Sequence, residues 1–311
     1  LSSFAYIPSF SVARLQAFHK KIYLCFTETI MNLYTIDTGF FKLDGGAMFG
    51  VVPKTIWQKM NPPDNNNLCN WAMRCLLVED GNRLILIDNG IGDKQSEKFF
   101  GYYFLNGNDS LDNSLNRLGF NKDDITDVFL SHLHFDHCGG SVEWNDDKSG
   151  YRTAFKNAKY WSNEVHWNHA LNSNPREKAS FLKENIVPIQ ESGQLEFLKP
   201  NDKIMDGFAV HTVYGHTEAM MCPVVTCKGQ TLVYCADLFP SMHHIPAHYV
   251  MSYDIKPLDS MIDKQRMLDL AFENNWMMYF EHDPVNECCT LKKNERGNIV
   301  VDRCFRLSEV F

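Results

Sequence analysis

An α/β fold with sheet at its centre is what this sequence predicts, and three observations predict it. Short runs rich in Leu, Ile, Val and Phe recur along the chain and end in Gly, Asn or Asp, as strands do. Amphipathic stretches with capping residues interleave with them, and no internal repeat or low-complexity linker breaks the series. The 311 residues, 44% hydrophobic and 22% charged, are enough to bury a sizeable core.

Taken in order, strands are expected in "NLYTIDTGFFKL", "AMRCLLVED", "RLILIDNG" and "DITDVFLSH". "NDSLDNSLNRLGF" reads as a short helix capped by Asp or Ser and stopped by Gly119. Helical character follows in "NEVHWNHALN" and "PREKASFLKENI". Strands return in "FAVHTVYG", "MMCPVVTC" and "QTLVYCAD". A long helix is predicted across "PLDSMIDKQRMLDLAFENN", burying a stripe of Leu258, Ile262, Met267, Leu270 and Phe272. "WMMYFEHD", "NECCTLKKN" and "NIVVDRCFRL" close the series as strands. The domain is expected to span residues 31–311 from Met31, with residues 1–30 an appendage outside the fold.

Composition excludes several functions. Thirty basic residues against 38 acidic ones give a net charge of −8 with no basic block, which speaks against nucleic acid as a partner. No apolar run reaches the roughly 18 residues of a membrane span, and no secretory signal is recognised, so a cytoplasmic location is expected. Cys25, Cys69, Cys75, Cys138, Cys222, Cys227, Cys235, Cys288, Cys289 and Cys304 form no C-x-x-C pair. Several lie in apolar runs, and buried reduced thiols are the expectation.

The chemistry concentrates in "FLSHLHFDHCGG", where His132, His134, Asp136 and His137 fall within six positions. At a strand end, residues two apart point the same way, so His132 and His134 can converge on one point. After the turn, Asp136 and His137 face a second point. Imidazole and carboxylate suit Zn²⁺, though Mn²⁺, Fe and Co²⁺ accept the same set. Gly139 and Gly140 are read as permitting a tight bend there.

"His-Leu-His-Phe-Asp-His" resembles the H-x-H-x-D-H signature of the metallo-β-lactamase fold superfamily, and four further motifs of that family occur in order. They are Asp88 in "LILIDNG", His216 in "VYGHTE", Asp237 in "LVYCADLF" and His282 in "MYFEHDP". The resemblance covers roughly residues 31 to 311. It implies a four-layer αββα sandwich of two mixed sheets flanked by helices. It also implies two divalent cations, one on His132, His134 and His216, the other on Asp136, His137 and His282, with Asp237 and a hydroxide bridging them. Asp88 is then expected behind the ligands, orienting loop residues. Two such cations lower the pKa of a shared water toward neutrality, and the hydroxide attacks an ester-like carbonyl or phosphoryl centre. Asp136 can manage the proton of the leaving group.

Within the superfamily, an aspartate at position 237 argues against antibiotic hydrolysis, His134 argues against the flavodiiron oxidoreductases, and the added domain or basic arm of the RNA-processing branch is not found. A small-molecule hydrolase remains, and a homodimer is common among similar proteins. "LDGGAMFGVVPKTIW" and "ADLFPSMHHIPAHYVMSYD" lean toward the N-acyl-homoserine lactonases, with organophosphate triester hydrolases, thioester hydrolases like glyoxalase II, and a metal-binding protein without turnover as alternatives. "GGAMFG" is read as flexible and exposed, so that Met48, Phe49, Val51, Val52 and Trp57 can lie over the metals. Phe239, His243 and His244 are the other expected pocket residues. One departure stands out: Pro240 occupies the place, three residues after the bridging aspartate, where well-known lactonases carry a carbonyl-polarising tyrosine. Tyr249, Tyr253, His243, His244 and His248 are the candidate replacements.

Overall fold

The computed structural model of the protein describes residues 31–199 and 202–311; the expectations about residues 1–30 and Cys25 lie outside them. The first half of the chain supplies strands β1 (Asn32–Asp44), β2 (Leu68–Asp80), β3 (Arg83–Ile87), β4 (Asp127–Phe129), the short pair β5 (Val142–Trp144) and β6 (Tyr151–Thr153), then β7 (Lys159–Ser162) and β8 (Leu195–Phe197). The second half supplies β9 (Phe208–Val213), β10 (Met220–Cys227), β11 (Gln230–Tyr234), β12 (Met277–Tyr279), β13 (Cys288–Lys293) and β14 (Ile299–Phe305). Two six-stranded mixed sheets result, ordered β1-β2-β3-β4-β7-β8 and β14-β13-β12-β11-β10-β9.

Side-chain alternation explains why the sheets stack. Leu76, Val78, Ile85, Ile87 and Phe129 point from the first sheet into a core shared with Val224, Leu232, Tyr234, Met278 and Cys289 of the second. Their sequence neighbours Cys75, Leu77, Leu84, Leu86 and Val128 face the other way, against Leu115, Trp167, Ile186 and Ile189 from helices. Because both faces are covered, β2 and β3 read as continuous apolar runs rather than as alternating ones. Met267, Leu268 and Ala271 of the helix Pro257–Glu273 cover the second sheet, completing helix, sheet, sheet and helix layers.

Several local expectations change. The helix Leu111–Arg117 forms as expected, with Ser110 accepting from Asn113 N–H at 3.2 Å. Within "PREKASFLKENI" regular helix begins only at Lys183 and runs to Glu191. In the long helix, Leu258 and Ile262 are exposed, and the buried face is Ser260, Lys264, Met267, Leu268 and Ala271. "GGAMF" is neither flexible nor exposed: it is a one-turn helix, Gly45–Phe49, capped by the Asp44 carboxylate, which accepts from Ala47 N–H at 2.8 Å. Met48 and Phe49 are buried, while Val51 is 93% exposed. Every cysteine from Cys69 to Cys289 is buried, Cys304 is half-buried, and all nine are free thiols. No helix among the described residues is long and apolar enough to cross a membrane.

Candidate metal centre

Five strand ends deliver the site. β3, β4 and β7 run parallel, as do β11 and β12, and β9 shares the direction of β11 through the antiparallel β10. Asp88 follows β3, the His132–His137 segment follows β4, His216 follows β9, Asp237 follows β11 and His282 follows β12. All lie beyond carboxyl ends, the side where α/β sheets place their ligands.

The backbone there is held in costly conformations. Asp88 and Ala236 adopt positive φ, 55° and 43°, which a non-glycine residue keeps only where its surroundings dictate it. Gly139 and Gly140 lie in the expected tight turn, a 3-10 segment over Gly139–Ser141, and also serve a second purpose. A Cβ on either would meet the carbonyl oxygen of Ile91 or Asn89 at 2.1 and 2.3 Å, so two backbones approach too closely for any side chain.

The seven predicted ligands converge. His134 Nδ1 lies 3.1 Å from His132 Nε2 and 3.2 Å from His216 Nε2. His137 and His282 bring their Nε2 atoms to 3.2 Å, with Asp136 Oδ2 3.8 and 3.7 Å from them. Asp237 stands between the groups. Its Oδ2 is 3.0 Å from His216, 3.7 Å from His132 and 3.5 Å from His137, and its Oδ1 is 3.1 Å from His282.

The far side of each ring shows what the near side offers. His132 Nδ1 meets Ser131 Oγ at 3.1 Å, and that hydroxyl donates to Asp88. His216 Nδ1 meets Asp254 at 2.9 Å, and His282 Nδ1 meets the Ala72 carbonyl at 2.7 Å. His137 Nδ1 lies 2.9 Å from Glu281 and 3.2 Å from Asp88. With Nδ1 of His132, His137, His216 and His282 tied to oxygens, those four rings turn Nε2 to the cluster while His134 turns Nδ1, the arrangement that metal-ligating histidines adopt. Ring nitrogens 3.1–3.2 Å apart need positive charge between them, a shared proton or a metal cation, and that spacing is close to the edge of a tetrahedral zinc–imidazole site. Asp237 Oδ1 is buried and, apart from its ion-pair approach to His282 Nε2, which lacks hydrogen-bond geometry, has no partner among the described residues, which also fits a cation. The donor set therefore suits divalent metal.

Charge is balanced within the cluster. Burial and the neighbouring rings hold His132 and His134 well below the ordinary histidine range. For His216 and His282 burial opposes protonation, but Asp237 outweighs it and raises them to about 10 and about 9. Burial, with Asp88 nearby, raises the Glu281 carboxyl.

Asp254, Glu281 and His166 escaped sequence reasoning. His166, held neutral by burial with its pKa lowered to about 4, accepts from Leu133 N–H at 2.9 Å and so fixes the backbone between His132 and His134. Glu281 carried a readable signal, since it ends an apolar strand as Asp88 does; Asp254 in "MSYDIK" carried none.

Above the cluster opens a cavity of ≈ 370 Å³, lined by Met48, Tyr103, Phe135, Arg176, Met251 and Tyr253 among others, with His134, Asp136, His216, Asp237 and His282 at its floor. Of the expected pocket residues only Met48 lines it. Phe49 is packed between Trp57 (ring centroids 5.7 Å apart) and His244 (4.7 Å, nearly parallel). His244 also bonds Ser241 and the Met48 carbonyl, at 2.8 and 2.9 Å. Phe239 is in the core under Lys264, and His243, half-buried, is not part of the lining. These four aromatic side chains are fully or nearly fully buried: Phe49, Trp57 and His244 in one stacked, hydrogen-bonded group, and Phe239 in the core between the sheets. Pro240 receives His282 N–H on its carbonyl at 3.0 Å, and of the candidate replacement residues only Tyr253 reaches the cavity.

This fold, with its ligand-type residues gathered at strand ends, defines a class, and the sequence matches the Metallo-beta-lactamase superfamily over residues 74–282. The chain belongs to that superfamily. It is 28% identical over 170 residues to an N-acyl homoserine lactonase of Bacillus thuringiensis, covering 51% of this chain and 57% of the relative; the chain thus spans little more than half of that relative's length. Among solved structures, it is similar to a probable metal-dependent hydrolase from Staphylococcus aureus (TM-score 0.80, 25% identity, 88% of this chain and 96% of that one). It shares the fold of AidC, a dizinc quorum-quenching lactonase in complex with a product (TM-score 0.69, 22% identity, 89% and 95% coverage).

Proposed function

We propose that the chain is a metal-dependent hydrolase that holds two divalent cations and opens small ester-like substrates, with lactones of the N-acyl-homoserine type as the favoured class. The observation that carries this reading is the set of imidazole nitrogens converging around Asp237, with four of the five rings (His132, His137, His216 and His282) fixed from behind by an oxygen. His132, His134 and His216 would hold one cation and Asp136, His137 and His282 the other, with Asp237 placed to serve either group. Bound there, the pair supplies activated water near neutral pH and positive charge for a developing oxyanion.

The chain's own residues do the rest. Asp136 is at the cavity floor, where its carboxylate can hold the proton destined for the leaving-group oxygen. Tyr253, whose hydroxyl has no hydrogen-bond partner among the described residues, takes the place of the tyrosine missing at Pro240 and donates to the substrate carbonyl. Leu43, Met48, Phe135 and Met251 give that carbonyl an apolar wall that excludes water and accommodates an acyl chain. Support also comes from the lactonase relative, matched at 28% identity.

The test is elemental analysis together with a substrate panel of acyl lactones, aryl esters, a phosphotriester and S-lactoylglutathione. Two metals per chain and fastest turnover on acyl lactones are expected. Preference for the triester or the thioester moves the substrate class, and bound metal without turnover on any of them refutes the enzyme.

A further inference from the structure

We propose that Arg176 reads the end of the substrate remote from the scissile bond, selecting an acyl arm tipped with an acceptor oxygen and favouring an anionic one. This rests on the hydrolase reading above and names the substrate feature its cavity recognises. Arg176 lines the cavity, yet it is exposed, which places its guanidinium at the mouth rather than at the floor. Among the described residues no carboxylate pairs with it. Its Nη2 donates to the Ser252 carbonyl and, at 3.5 Å, to that of Asp254, both uncharged acceptors. A guanidinium has five N–H donors in a fixed fork, so most of them remain for a ligand.

The adjacent Glu177 does not neutralise this charge. It is buried and engaged elsewhere, accepting from Thr217 Oγ1 at 2.6 Å and meeting His169 Nε2 at 2.8 Å. Tyr103 and Tyr253 add phenol hydroxyls without hydrogen-bond partners among the described residues. The carboxylates lining the cavity are Asp136 and Asp237 at the floor and the buried Glu177, whose oxygens are already taken by Thr217, His169 and Asn174. The wall thus offers donors and one uncompensated cation, in a chain whose net charge is −8. An acceptor-tipped arm satisfies that wall, and a cationic tip is repelled by it.

The experiment compares three homoserine lactones whose acyl arms match in length but end differently: hexanoyl (methyl), adipoyl (carboxylate) and 6-aminohexanoyl (ammonium). KM and kcat are measured on the metal-loaded protein, and binding of the corresponding γ-lactams, which resist hydrolysis, is measured by calorimetry. The expected KM order is adipoyl, then hexanoyl, then aminohexanoyl. The first step is about three- to tenfold, the range between an exposed ion pair and a charge-assisted hydrogen bond. Arg176→Met collapses the order, raising KM for the adipoyl lactone toward that of the hexanoyl one, the change that loss of uniform binding produces. Arg176→Glu inverts the order, which loosening of the loop at Ser252 cannot do.

An order that is absent in the wild type, or unchanged in both variants, overturns the proposal. If no lactone is opened, the hydrolase reading loses its favoured substrate, but the lactam affinities still decide on Arg176. The carboxylate-tipped lactam must bind tightest to the wild type and lose that advantage in Arg176→Met; failure of all three lactams to bind refutes the role.

Discussion

The floor of the cavity and its wall are built on opposite plans. On the floor nearly every side chain is fixed twice: His216 by Asp254 behind and Asp237 in front, His137 by Glu281 and Asp88, His282 by the Ala72 carbonyl. Even the peptide between His132 and His134 is tied to His166. On the wall, Tyr103 and Tyr253 have hydroxyls without hydrogen-bond partners among the described residues, and Arg176 rests on two carbonyls. A site that must hold charged ions in one geometry needs redundancy, whereas a wall that meets varied substrates needs free donors. Rigidity belongs to the chemistry and openness to selection.

Removing the shared ligand should have the largest effect. Asp237→Ala is expected to reduce bound metal below two ions per chain and hydrolysis to background; retained turnover, followed with elemental analysis on the same sample, refutes its place between the two groups. Next comes the wall donor nearest the chemistry. Tyr253→Phe should lower kcat on a lactone by about a hundredfold, the cost of losing one preorganised donor, with metal content intact. Asp254→Ala strikes a support rather than a ligand, and weakening of metal affinity by about 10–100-fold is expected in competition with a chelator.

Phe49 separates the core beneath the cavity from the cavity itself. Its burial between Trp57 and His244 predicts that Phe49→Ala costs about 3–5 kcal/mol of stability in denaturant melts. A changed substrate preference at unchanged stability contradicts that packing role.

The last effect is a slope in pH. Lys264 is buried under the loop that leads to Tyr253, donating to the Pro246 and Tyr249 carbonyls at 3.3 and 2.5 Å. Burial lowers its pKa from 10.5 to about 7, with Asp254 pulling the other way. Between those two values the unfolded chain binds a proton that the folded chain does not. Its contribution to stability is therefore present above 10.5 and lost as pH falls through about 7. Relative to Lys264→Met, the wild type should gain stability as pH rises from 7 to 10; a pH-independent difference in Tm refutes it.

Much of this was legible in the sequence, for identifiable reasons. Strands such as "RLILIDNG" announce themselves because both sheet faces are covered, and the ligand residues cluster or end such strands. The long helix was misread where hydrophobicity is a poor guide. Ser260 is buried because a Cβ at Gly215 would meet its backbone nitrogen at 2.2 Å, so the helix presses on the His216 loop there. Lys264 is buried because its stem is apolar and its amine finds carbonyls. Leu258 and Ile262, the better candidates by composition, face out. Phe49 and His244 resembled pocket residues because an aromatic beneath a cavity and one within it look alike in sequence. Arg176 and Asp254 act through partners on other loops, and neighbouring residues carry no trace of that.

Anomalous-difference crystallography on zinc-loaded protein tests most directly whether this cluster holds a metal pair. Two peaks are predicted, one bounded by His132, His134 and His216, the other by Asp136, His137 and His282, with Asp237 contacting both. A single peak, or metal bound elsewhere while this cluster stays empty, contradicts it.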